Sequence, residues 1–354
     1  MNRLARLAGA FVAALVLVPV PVVSAHGGMD TEVTSNYRTL LTGVPDVDGL
    51  NAEIVDISGT IRLTWNGRRT LVVYGYEDEP YLRISERGVE RNTRSPASYL
   101  NEDRYASVEK PATATADADA APEWKLISDN PSFQWHDHRN HWMSTVPPAG
   151  VVADADRSHV IFERWEIPIE IDGRRDSISG ELAWVPPPSA GWWYTVAGLV
   201  ALAAAAVLFS RLWRPGAALI ASLGAATFAA DTLGYVVASP ASLSSRLPVL
   251  LPPMVAVAIA ARLWIHVRRR TDDPTLAMMA SGLVLALLGG FDRVDVLSNS
   301  QIFASGPAWF PRAAVAMCLG TGAALAARFA AFLIPLAVRP TRPHAVNSNE
   351  QVPT

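Results

Sequence analysis

Pro186-Pro187-Pro188-Ser189-Ala190-Gly191-Trp192-Trp193-Tyr194 divides the chain in two. Three consecutive prolines have fixed φ and no N–H to give, so strand pairing ends there. The Trp-Trp-Tyr run that follows carries amphipathic rings of the kind that settle at a membrane–water interface. Before this stretch the chain is polar and alternating; after it the chain is apolar.

On the C-terminal side lie five apolar segments, at about 192–212, 216–238, 247–266, 275–291 and 311–337. Each approaches the ~20 residues needed to cross the hydrocarbon core. The fourth is the shortest and reads as a tilted or broken span. Arg211 and Arg214 follow the first span, Arg262, Arg268, Arg269 and Arg270 the third, and Arg339 and Arg342 the fifth, whereas the other connections hold only Arg246, Arg293 and Arg312. The positive-inside rule then makes the first set cytoplasmic. The expectation is a five-span bundle over 191–338 in the cell membrane, with a cytoplasmic tail over 339–354.

On the N-terminal side, residues 1–25 read as a signal peptide. Arg3 and Arg6 precede a short apolar run, and Val23-Ser24-Ala25 supplies the small residues of a cleavage point, so the mature chain is expected to begin at His26-Gly27-Gly28-Met29. Residues 26–190 read as an extracytoplasmic all-β sandwich. Ile54–Trp65 alternates, Asn66-Gly67 signals a hairpin turn, and Thr70–Tyr76 reads as the return strand. Glu79–Ile84 and Trp124–Trp135 are further extended regions. Val160–Ile171, Asp172-Gly173 and Ser177–Val185 form a second hairpin, Ser95-Pro96 with Tyr99-Leu100-Asn101 an ordered turn, and Pro111–Ala121 a flexible loop.

Trp135-His136-Asp137-His138-Arg139-Asn140-His141-Trp142-Met143 concentrates three of the seven histidines in this domain. Neutral imidazole is the commonest metal ligand among side chains. An extended segment puts His136 and His138 on one face; a helix pairs His138 with His141. A chain starting at His26 adds an α-amine and an imidazole at one point, which suits the tetragonal nitrogen plane of copper(II). Met29, Met143 or Asp137 would be a weak axial ligand. The other reading is a hydrogen-bonded cluster without metal, with Asp137 and Arg139 as an exposed pair of little energetic weight.

Asp231 stands inside the second span, where a carboxylate calls for a partner. Arg312, entering the fifth span, is at a suitable depth, and Asp292, Arg293 and Asp295 lie near the end of the fourth. A structural ion pair is the expected role. Arg328 is deeper and is expected to snorkel. Met254, Met278, Met279, Met317 and Cys318 read as packing, and His266 is expected at the cytoplasmic end of span three.

The rest of the composition is restrictive. A net charge of −3 and only two lysines, Lys110 and Lys125, leave no nucleic-acid footprint, and a single cysteine excludes an internal disulfide. Ser95, Ser98, Glu77, Asp78 and Glu79 show no spacing of nucleophile and base, so no enzyme is expected. The order of signal peptide, N-terminal histidine, β-domain and membrane helices resembles the bacterial CopC and CopD copper-resistance proteins, including their fused forms. That resemblance implies a CopC-like (Ig-like) sandwich with copper(II) held by His26 and a downstream Asp-x-His; here Asp137-His138 are adjacent, a partial match. The run His-Asp-His-Arg-x-His-Trp-Met, with Gly75-Tyr76 and Glu79-Pro80-Tyr81-Leu82 upstream, also resembles actinobacterial membrane proteins along the whole chain, a resemblance that carries no activity. Three functions are therefore expected in order: copper(II) sequestration, sensing or delivery, with an extracytoplasmic metal donor as partner; a metal-free docking or scaffolding module; and a transporter component using Asp231.

Overall fold

The computed structural model describes residues 34–102, 116–239, 243–269 and 273–337. The segment expected to be a signal peptide, His26, Met29, residues 111–115 of the expected loop and the C-terminal tail lie outside them. The described chain falls into two compact units. The first joins the N-terminal portion to residues 231–251 and 295–312, and the second holds 191–230, 252–294 and the chain from 313 onward. Two stretches around the connections after spans two and four, 231–251 and 295–312, thus group with the β-unit.

The β-unit contains two larger antiparallel sheets. The first has seven strands in the order β2 (Tyr37–Gly43), β11 (Arg174–Trp184), β10 (His159–Ile171), β5 (Leu71–Tyr74), β6 (Pro80–Ser85), β7 (Gly88–Asn92) and β8 (Trp124–Ser128). The second has three, β3 (Leu50–Ile54), β4 (Ile61–Trp65) and β9 (Ser132–Trp135). Alternation along the strands supplies one shared core: Leu71, Val73, Leu82, Ile84, Ile167, Ile169, Ile178 and Leu182 from the larger sheet meet Ile61, Leu63, Trp65 and Trp135 from the smaller. Each such side chain contributes about 1.5–3 kcal/mol on full burial.

The β10–β11 hairpin turns at Asp172-Gly173, as expected. Both residues have positive φ, 55° and 77°, which is the backbone a tight two-residue hairpin requires. Asn66-Gly67 behaves differently from the expectation. β4 pairs with β3 and β9, whereas β5 pairs with β6 and β10, so this turn carries the chain from one sheet to the other. The Trp65 ring folds over it, giving its indole N–H to the Arg69 carbonyl at 2.6 Å. The run Ile54–Trp65 is likewise not one strand. β3 ends at Ile54, and Asp56 closes a turn by accepting from Ser58 Oγ at 2.6 Å and Thr60 N–H at 3.0 Å before β4 begins. Trp124–Trp135 divides between the two sheets. Ser95-Pro96 leads into a short helix, Ala97–Leu100.

The connection after span four is built into this unit. β1 (Thr34–Ser35) pairs with β12 (Gln301–Ile302). Thr34 Oγ1 donates to Asp295 at 2.6 Å, Ser300 N–H to Asn36 at 2.8 Å, and Ser300 Oγ to the Val185 carbonyl at 3.0 Å.

Among the described residues five helices are long and apolar enough to cross a membrane: Ala190–Leu208, Trp213–Ala238, Ser244–Arg269, Thr275–Leu297 and Trp309–Phe332. The chain reads as a multi-pass membrane protein. Trp192, Tyr194 and Trp309 stand exposed near span ends, as an aromatic belt does. Span four is broken, as its length suggests. An α-helix over Thr275–Leu283 widens into a π-helix over Val284–Gly290 and tightens into a 3-10 helix over Phe291–Leu297. Glycines let span five approach: a Cβ at Gly290 would lie 2.5 Å from the Leu319 side chain.

Candidate functional site

The Trp135–Met143 segment leaves β9 and folds into a tight knot rather than continuing as a strand. Asp137 is wholly buried, and its carboxylate takes both Nε and Nη2 of Arg139 at 2.8 Å. The Trp135 indole N–H adds a third bond at 3.0 Å. Arg139 gives two further donors to the carbonyls of Gly75 and Tyr74, both at 3.2 Å, and lies 4.9 Å over the Tyr76 ring. The pair expected to be exposed is therefore a buried bidentate one with nearly every polar atom engaged. Burial by itself would raise the Asp137 carboxyl; the Arg139 guanidinium beside it overcomes that and holds the group below its ordinary value of 3.8. Burial also pushes the Tyr76 phenol upward.

The knot ties down both strand ends around it. Tyr76 accepts the His138 N–H at 2.9 Å and donates to Asn101. Asn140 gives its amide to the Gly59 carbonyl at 2.6 Å, while its own carbonyl accepts from Thr39 at 3.0 Å.

The three histidines go to different neighbours. His136 faces the Asp56–Thr60 turn, with Nδ1 3.2 Å from Thr60 Oγ1. His138 stacks on Tyr76, ring centres 5.7 Å apart. His141 is buried, with Nδ1 3.0 Å from the Asp137 carbonyl, and meets His138 edge-on at 5.6 Å between ring centres. His138 and His141 are thus brought together; His136 turns toward another loop. Among the described residues no three histidine, cysteine or acidic side chains form a group able to hold an ion. Met143 is half-buried.

Of the intramembrane candidates, Asp231 is buried and Asp292 exposed. Arg312 directs its guanidinium at the carbonyls of Val296, Asn299 and Ser300, at 3.2, 2.8 and 3.4 Å, so Asp231 is not among its partners. An arginine capping carbonyls at the end of the span-four connection fixes that connection instead.

One feature had no signal in the sequence. β2 and β3 are terminal strands of their sheets, and both line a cavity of about 500 Å3, with Gln301 also at its wall. Tyr37 through Leu41 and Ala52 through Ile57 contribute without a gap. Side chains alternate between faces along a strand, so the unbroken run along β2 means that the cavity views that strand edge-on, while the end of β3 and the turn after it form the other wall.

No protein-family model matches the chain, and no curated protein and no solved structure matches it.

Proposed function

We propose that the protein is a membrane-anchored recognition module whose β-unit, on the outer face of the cell membrane, binds an extended polypeptide segment along β2. The carrying observation is the cavity lined edge-on by β2 and walled by the end of β3 and the turn after it. A terminal strand offers main-chain donors and acceptors to an added strand, and adjacent apolar positions give it side-chain selectivity. Leu40, Leu41, Ile54 and Ile57 provide those positions, with Arg38, Glu53 and Asp56 as charged contacts. The outer placement rests on the N-terminal signal and the arginine asymmetry. In native membranes, a photo-cross-linking residue at Leu40 is expected to capture a polypeptide, and one at Leu126, exposed on β8 at the opposite edge, is not. Amides of β2 are expected to exchange with deuterium more slowly there than in the purified full-length protein. Equal capture from both positions with unchanged exchange would set this reading aside.

A second reading is copper(II) binding, supported by the His138–His141 pair. His141 engages a backbone carbonyl through Nδ1, the outer-shell contact that commonly orients a metal-bound imidazole through its other nitrogen. His26 would complete a nitrogen-rich set with the α-amine; Asp137, held by Arg139, is replaced in this scheme by carbonyl or water oxygen. Full-length protein processed to His26 should then bind one copper(II) with nitrogen hyperfine structure in its electron paramagnetic resonance spectrum. His138→Ala and His141→Ala should each weaken binding about tenfold or more, the usual range for loss of a ligand or its support. Unaltered affinity in the double variant would exclude the pair as ligands.

A further inference from the structure

Arg328 lies near the end of span five farther from Trp309. Nineteen residues at 1.5 Å each place it ~29 Å along the helix, close to the ~30 Å thickness of the hydrocarbon core. It does not simply extend toward water. Its guanidinium carbon sits 4.2 Å from the Phe332 ring centre, 5.0 Å from Phe209 and 5.2 Å from Trp213. Trp213 and Phe332 themselves meet edge-on at 5.4 Å. The guanidinium is thus caged by three rings, from the connection just after span one, the start of span two and the end of span five.

Rings interact with the faces of a guanidinium and leave its five in-plane N–H donors unanswered. Among the described residues Arg328 makes no ion pair, and its Nε is buried without a hydrogen-bond partner. A cation in this position is costly unless an anion meets it. The chain brings more positive charge to the same end: Arg211, within the Phe209–Trp213 connection, and Arg214, just after it, are both exposed, and Arg214 lies 5.3 Å over the Trp213 ring of the cage.

We propose that this aromatic cage presents Arg328 to the phosphodiester of an anionic phospholipid, with Arg211 and Arg214 drawing the charged headgroup to it. A phosphodiester offers two oxygens in the geometry that a guanidinium edge matches. Basic clefts between spans at a membrane surface bind anionic headgroups by this chemistry.

The test uses full-length protein in detergent micelles, titrated with phosphatidylglycerol or phosphatidylcholine and examined by native mass spectrometry. Wild type is expected to retain phosphatidylglycerol in preference to phosphatidylcholine, and Arg328→Gln to lose about fivefold in retention, the scale of one basic residue at an anionic surface. Inorganic phosphate at millimolar concentration should not displace the lipid. If Arg328→Gln does not fold, Phe332→Leu decides, because it opens the cage and keeps the charge; retention should fall there too. Equal retention of both lipids by wild type, retention unchanged in the folded variants, or displacement by free phosphate would overturn the proposal.

Discussion

Asp137→Ala is expected to be the most destabilising single substitution in the β-unit. It leaves Arg139 charged, largely buried and without its bidentate acceptor, and it frees the Trp135 indole. Removing one partner of a buried pair costs about 3–5 kcal/mol, whereas replacing both with apolar groups of similar volume is often neutral. For a unit of this size the loss corresponds to a fall in melting temperature of about 10 °C. Asp137→Leu with Arg139→Met should recover most of it, since the Tyr76 ring and the neighbouring core can receive apolar side chains. The pH dependence follows from the depressed carboxyl. Its folded value lies below the unfolded 3.8, so the stabilisation is fully present above about pH 4 and is lost as pH falls through the folded value. The double variant should lack that part of the acid lability. Melting curves of the full-length protein in detergent from pH 7 to pH 2 check both statements. A single variant that melts like wild type, or a double variant no better than the single, would remove the knot from its structural role.

The membrane half was legible in the sequence because its signals are local. Apolar length marks each span, the Trp192-Trp193-Tyr194 run marks where the first begins, and the shortness of the fourth segment marks the broken span. The Asp172-Gly173 hairpin was legible for the same reason, since two left-handed residues in a row admit few alternatives. Asn66-Gly67 was misread because strand alternation is identical whether the next strand pairs beside the last or faces it across the core. Only the ring of Trp65 closing on the Arg69 carbonyl decides between these, and that is a tertiary event. The Asp137–Arg139 pair, expected to be exposed, was misread in a related way. Residue type and spacing show which ligands are available, but whether Asp137 is offered to an ion or held by Arg139 depends on carbonyls at positions 74 and 75, some 60 residues earlier. The β2–β3 cavity had no local signature at all, because the terminal position of a strand is a property of the whole sheet order.

Gly322→Ala is expected to disrupt the membrane bundle despite being the smallest possible substitution. A Cβ there would lie 2.6 Å from the Ala286 backbone nitrogen and 2.9 Å from both the Ala286 Cβ and the Gly282 carbonyl oxygen. Gly282 is equally confined, with Ala326 N and Gly322 O at 3.0 Å from a Cβ built on it. Spans four and five therefore pack small residue on small residue, Gly282 and Ala286 against Gly322 and Ala326, the spacing that lets two helix backbones approach closely. Helix propensity alone would favour alanine by up to ~1 kcal/mol. Two of the opposing atoms are backbone and the third is the Ala286 Cβ, none of which can rotate aside, so the helices must separate. Overpacking of this kind costs about 1–3 kcal/mol, and the contact is lost along the π-helical segment that contains Ala286. Gly198→Ala is the matched control, since a Cβ at that position meets nothing within 4 Å. Folded yield from membranes and the detergent melting temperature should fall for Gly322→Ala and further for Gly322→Leu, and stay level or rise slightly for Gly198→Ala. If Gly322→Ala tracks the Gly198 control, the close approach of spans four and five is not what holds the bundle.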